Sequence, residues 1–319
     1  MVVGFAPGGG DAQGGAGRGA GPLAMRPQPV YDLTARLYTR HFGRFLPGSP
    51  EVTIRHMPGA GSLRAAQWLA SGAPRDGTVL ASVSGQALRT MLLGNVRDRD
   101  AAANFAAIGG RIAGEYFCAT AATGFRRPAA FGATAPYERS YLHARAFSVV
   151  SGMPVRLVAG YANLAQIALA FRRQEIDGFC GLSLQTLQSQ LGDLIASGAL
   201  KPLLRFSPAG TGSFRHIARA GEGAPPGLAE PLQLISEQGV LDWALLGPAG
   251  VPLARVAALR GAYVRMVRDP AFLRDAVSWG IAVDPVDPAR IETALKTMAS
   301  ASAEAVRRIE EWSAPPRGK

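Results

Sequence analysis

Lysine is nearly absent: Lys201, Lys296 and Lys319 are the only three in 319 residues, so a formal net charge of +11 rests on arginine. The arginines form no basic run with interleaved aromatics. They recur as solvated helix faces (Arg36, Arg40, Arg44; Arg260, Arg265, Arg268), which argues against nucleic acid and leaves a field favouring small anions. Cysteine is scarce too, with Cys118 and Cys180 alone and no CxxC pair. They read as two small buried hydrophobes, with a disulfide open to them only outside the cytoplasm. His41, His56, His143 and His216 stand apart without metal-ligand spacing, so no metal site is expected. No window of about 18 uninterrupted apolar residues occurs, which excludes a membrane-spanning helix.

Chemistry-bearing motifs are missing as well. There is no GxxxxGK[ST], and the glycines near the start lack the strand–turn–helix context of a dinucleotide site. Ser84-Gly85 and Gly181-Leu182-Ser183 lack the flanks of a nucleophile elbow. With no acid–base pair or activated nucleophile, the chain reads as a binder that needs no cofactor, not as an enzyme. Nothing at the start has the form of a signal peptide. Met1 runs at once into Val2-Val3-Gly4-Phe5, the end of a buried strand, as if the chain were trimmed or its start misassigned.

What is present is an alternation of short apolar runs and amphipathic stretches, with 48% hydrophobic residues. It predicts an α/β architecture of two domains with largely parallel sheets. Helices are expected at Leu33–Leu46, Leu63–Ala70, Leu88–Leu93, Ser140–Val150, Leu164–Arg173, Leu184–Ile195, Leu253–Val267, Pro270–Gly280 and Pro288–Trp312. Strands are expected at 52–54, 78–83, 155–158, 176–180, 200–206 and 281–283, and Trp243–Leu246 leads into GPAGVP. Residues 207–231 read as loop. The chain crosses to a second domain around Ile108–Ala119, giving residues 1–112 plus 245–319 as one domain and 113–244 as the other.

Two glycine-rich turns feed helices: GFAPGGG (4–10) and the Gly59-Ala60-Gly61-Ser62 turn. Such turns expose unpaired N–H groups at the positive end of a helix dipole, where an anion sits. Ser62 and the adjacent amides are candidate ligand donors, against the alternative of an ordinary tight turn. Asp32 either caps the first helix or holds the first glycine loop in shape, and Asp177 caps a turn before a strand. Residues 11–30, DAQGGAGRGAGPLAMRPQPV, are flexible by composition and interrupt a loop-to-helix junction: a lid, a neutral insertion or a sequence error.

With that insert removed, GFAPGGG-YDLTARLYTRHFGRFLPGSPEVTIRHMPGAGSLRAAQWLA resembles the opening of the tripartite tricarboxylate transporter substrate-binding proteins, the Bug or TctC family. VRLVAGYANLAQIALAFRRQEIDGFCGLSLQTLQS and GPAGVPLARVAALRGAYVRMVRDPAFLRDAVSWGIAVDPV extend the resemblance over nearly all the chain except the insert and 207–241. It implies a type II periplasmic binding protein with two α/β domains, hinge strands and a central ligand cleft. Such a receptor captures a small carboxylate-bearing organic anion and passes it to a membrane permease, acting in the periplasm as a monomer. The resemblance maps the carboxylate site onto Phe5, Ala6, Pro7, Gly8, Gly9 and Asp32, and onto Gly59, Ala60, Gly61 and Ser62. The second domain contributes Gly132, Ala133, Thr134, Gly160 and Tyr161, with Asp177 nearby. Export would let Cys118 and Cys180 pair. Ala162-Asn163-Leu164 stands where relatives often carry a glycine pair. A ligand-presenting partner of a sensor protein and a non-functional remnant are the rival readings.

Overall fold

The computed structural model describes residues 2–6, 30–94, 96–111, 114–122, 128–207, 214 and 216–315. The chain divides into two compact units, residues 1–112 with 243–295, and 113–242 with 296–319. Residues 296–319, expected with the first unit, cluster with the second.

The first unit opens with β1 (Val2–Ala6), α1 (Val30–His41), β2 (Glu51–Arg55), α2 (Leu63–Ser71) and β3 (Val79–Ser82), then α3 (Gly85–Leu92), α4 (Val96–Ala103) and β4 (Ala106–Gly110). The second holds β5 (Tyr116–Ala121), β6 (Ala129–Ala133), α5 (Arg139–Ser151), β7 (Val155–Ala159), α6 (Leu164–Arg172), β8 (Gly178–Ser183), α7 (Leu184–Ser189), α8 (Gly192–Ala196), β9 (Leu200–Phe206) and α9 (Ala229–Leu241). The chain then returns through β10 (Ala244–Gly247), α10 (Leu253–Met266) and α11 (Pro270–Ser278). α12 (Pro288–Ala299) starts in the first unit and ends in the second, which α13 (Ala303–Ser313) completes.

Each unit is built on a five-stranded sheet, ordered β2-β1-β3-β10-β4 and β7-β6-β8-β5-β9. The fold is mixed α/β, but the expectation of largely parallel sheets is corrected. Every pair in the first sheet is antiparallel, and only β6/β7 and β6/β8 in the second are parallel. Part of the reason lies in the crossings. The chain leaves the first unit after β4 and re-enters on β10, so these two strands lie side by side in opposite directions. β5 and β9 form the matching antiparallel pair in the second unit.

Helix starts follow capping chemistry. Asn163, Ser183, Asp269 and Ser302 each accept from the backbone N–H three residues on, at 2.9–3.1 Å. The single helix expected over 288–312 is broken for that reason. Ser302 caps α13, and its own N–H and hydroxyl donate to Glu230 at 2.8 and 2.6 Å. No strand forms at 281–283; the nearest pairing is the isolated bridge Gly110↔Val286, with Asp284 N–H donating to Arg111 O at 2.8 Å. The helix expected at 184–195 is the pair α7 and α8.

In the first unit, Tyr38 stacks on Phe272 and meets Tyr263 edge-on, with ring centroids 6.4 and 6.1 Å apart. β4 reaches this cluster only because Gly109 has no side chain: a Cβ there would lie 2.2 Å from Tyr263 Cε1. Burial raises the pKa of both phenols, well above the usual range for Tyr263. The second core gathers Phe117, Phe171, Phe179, Leu182 and Leu187. Cys118 and Cys180 oppose each other across β5 and β8, fully buried, and a disulfide joins them. No described helix is long and apolar enough to cross a membrane.

The disulfide closes a span of 62 residues. Chain entropy puts the upper limit of its stabilisation at about 4 kcal/mol. Reduction under denaturant is therefore expected to lower the unfolding midpoint of the second unit and leave that of the first nearly unchanged. Calorimetry with and without a reductant resolves the two.

Candidate functional site

The Gly59–Ser62 turn carries four consecutive positive φ angles, 132°, 45°, 59° and 81°. Glycine adopts such angles freely; for Ala60 and Ser62 they are strained, and strain of this kind persists only where surroundings over-determine it. Two features do so. The turn closes on itself through Ser62 N–H to Gly59 O at 3.1 Å. From outside, Ser84 donates its hydroxyl to Gly61 O at 2.6 Å while accepting from Ala87 N–H at 3.1 Å as the cap of α3. One hydroxyl thus ties the turn to the start of a second helix. Gly59, Ala60 and Gly61 are exposed, and the N–H groups of Ala60 and Gly61 have no acceptor among the described residues. Two solvent-facing donors stand at the entrance to α2, a geometry suited to an anion.

Sequence reasoning named Ser84 only to reject it as a nucleophile. Its capping role was missed because Gly85 opens α3, whose start was placed at Leu88.

Asp32 sits in the first turn of α1. Its carboxylate takes Arg36 Nε at 2.8 Å and His56 Nε2 at 3.1 Å. It therefore ties α1 to the segment leading into the Gly59 turn. Phe5 and Ala6 end β1, paired with Val52 and Glu51. Pro7, Gly8 and Gly9, and the insert up to residue 29, lie outside the described residues.

In the second unit, Ala133, Thr134, Gly160 and Tyr161 come together at the carboxyl ends of the parallel strands β6 and β7. Gly160 N–H donates to Thr134 O at 2.7 Å, and Tyr161 N–H to Ala133 O at 3.4 Å. Carboxyl ends of parallel strands are where open α/β sheets bind ligands. Ser140, in the first turn of α5, supports the same edge: its Oγ accepts from Thr134 N–H at 3.0 Å and lies 2.9 Å from Thr134 Oγ1.

Two expected residues are placed elsewhere. Gly132 is a packing residue, because a Cβ there would meet Ile167 and Ile176 at 2.7 Å. Asp177 is buried at the opposite end of β6, where its carboxylate accepts from Ala130 N–H at 2.8 Å and its N–H donates to Ala130 O. It staples β8 to β6, away from the Thr134 edge. Asn163 caps α6, and Gln166 Oε1 takes Ala162 N–H at 2.9 Å, which explains the polar residues following Gly160-Tyr161.

A buried charged knot was not anticipated from sequence. Asp242 accepts from Tyr116 Oη and Arg139 Nη2, both at 2.5 Å, with the guanidinium 3.8 Å above the Tyr116 ring. No group of described residues has the composition of a metal site.

No family model and no curated protein matches the sequence. Solved structures do. A TctC solute-binding protein from Polaromonas, without ligand, superposes with a TM-score of 0.64 at 14% identity, over 90% of this chain and 94% of that one. The fold is that of the TctC solute-binding proteins. The periplasmic binding protein BugD matches with a TM-score of 0.53 at 15% identity, over 90% of this chain and 94% of its own. MatC from Rhodopseudomonas palustris, solved with malate, gives 0.52 at 15% identity, over 91% and 96%. Another R. palustris protein, solved with adipate, gives 0.53 at 14% identity, over 88% and 92%.

Replacing Ser84 by alanine removes both the α3 cap and the brace on Gly61. A loss of about 1–2 kcal/mol in folding stability is expected, largely recovered by Ser84→Thr, which keeps an oxygen at the cap. Denaturant melts of the two variants check this.

Proposed function

We propose that this protein is a receptor for a small organic anion bearing carboxylates, which it binds without chemistry and delivers to a permease of the tripartite tricarboxylate type. The observation that carries the reading is the Gly59–Ser62 turn, with unpartnered N–H groups on a strained loop braced by Ser84. Oriented amides hold a carboxylate without an opposite full charge, so the ligand stays releasable. Phe5 to Gly9 and Asp32 belong to the same site in this proposal. The Thr134–Tyr161 edge is the part of the second unit assigned to ligand binding in this proposal. Gly132 and Asp177 enter it as supports of that edge.

The fold supports this reading, as do the relatives that carry malate and adipate. The periplasm is the compartment proposed, in keeping with BugD and with the oxidised Cys118–Cys180 pair.

Thermal unfolding across a panel of malate, adipate, citrate and benzoate tests the proposal. A ligand at a hundred times its dissociation constant adds about 2.7 kcal/mol, a readily visible rise in melting temperature. A cooperative melt that no carboxylate shifts would count against it.

A further inference from the structure

Where β2 runs into the Gly59 turn, an open pocket of about 330 Å³ is lined by Arg55, His56, Met57, Pro58, Arg64 and Trp68. Arg64 and Trp68 stand four residues apart on α2, hence on one face of it. Arg55 reaches over from the strand, its guanidinium carbon 5.7 Å from the Trp68 ring centroid. Three basic side chains therefore line one pocket, and one of them, Arg55, lies over its indole. His56 is paired to Asp32, and that carboxylate is shared with Arg36. Arg55 and Arg64 are exposed, and no carboxylate among the described residues pairs with either.

We propose that this pocket docks an acidic segment of a protein partner, with two carboxylates of the segment meeting Arg55 and Arg64 and an apolar side chain between them resting on Trp68. Its make-up fits a protein contact: tryptophan, arginine and methionine are the residues enriched at interfaces, and tryptophan and arginine supply most hot spots. Charge argues for a segment over a single small anion. One exposed ion pair contributes only about 0.2–1 kcal/mol, so a lone carboxylate gains little here. Two carboxylates on one chain, with an apolar residue to exclude water from the Arg55–Trp68 stack, gain more than the sum of exposed pairs. The net charge of +11 steers such a partner inward. This surface adjoins the proposed solute site, through His56 paired to Asp32 and Arg64 beside Gly59, but Arg55 belongs to this surface alone.

The test uses the whole chain and a terminally blocked pentapeptide with glutamate and aspartate on both sides of a central leucine. The probe is the Trp68 indole N–H resonance, assigned with Trp68→Phe. The peptide is expected to shift that resonance, with affinity falling about tenfold between 50 and 300 mM salt as screening sets in. Arg55→Glu with Arg64→Glu should weaken peptide binding at least about tenfold while the melting temperature stays unchanged, and Arg55→Glu alone should leave the solute response unchanged. No shift at Trp68, or undiminished binding by the double variant, overturns the proposal. So does an equal response to malate at the same carboxylate concentration, which marks a small-anion site, or to a peptide with its acids amidated, which marks an apolar one.

Discussion

Four successive positive φ angles at Gly59, Ala60, Gly61 and Ser62 are the constraint on which the candidate site depends. Two of the four residues are not glycine, so the conformation costs free energy that other contacts must offset. Ser84 supplies one, with a hydroxyl that serves Gly61 O and Ala87 N–H together. The helix beginning at Leu63 supplies another, because Ala65, Ala66 and Leu69 bury its inner face. The result is a loop whose carbonyls at Gly59 and Gly61 are engaged while the N–H groups of Ala60 and Gly61 have no acceptor among the described residues. A carboxylate is the complement of that arrangement, and no catalytic side chain is required for it.

The rest of the molecule holds that loop and its counterpart on rigid frames. In the first unit β4 presses against α10 at Gly109, where only hydrogen fits beneath Tyr263. In the second, the Cys118–Cys180 disulfide locks β5 to β8, and Asp177 staples β8 to β6. These fastenings fix the strand whose carboxyl end carries Ala133 and Thr134. Asp242, Tyr116 and Arg139 tie the segment through which the chain leaves that unit to the first turn of α5. A buried ion pair of this kind stabilises little by itself but is costly to break, which suits a place where geometry must not drift.

Much of this was legible in the sequence where one local signal dominated. The turn at Gly59–Ser62, the helices α1, α2, α6 and α10, and the strands β2, β3, β7 and β9 all follow from periodicity and glycine punctuation. α9 was not legible. Ten of its thirteen residues are buried, so it shows no amphipathic period, and Pro231 and Gly239 read as breakers. Strand direction was hidden for a different reason: βα alternation implies parallel neighbours, whereas the crossing strands β4 and β10 pair by where the chain returns. Ser84 was missed because it acts through Gly61 O, 23 residues away, and Ser140 because its partner Thr134 lies across the turn from β6 into α5. Asp177 misled because a buried acid near a strand start looks available, while its carboxylate accepts from the Ala130 backbone N–H.

The most direct measurement is a titration of the isotopically labelled chain with malate and with adipate, following the backbone amides of Gly59 to Leu63. If the turn is the anion site, the amides of Ala60 and Gly61 move furthest and their exchange with solvent slows on saturation. Saturable binding that leaves those amides untouched would contradict that assignment and place the anion elsewhere on the fold.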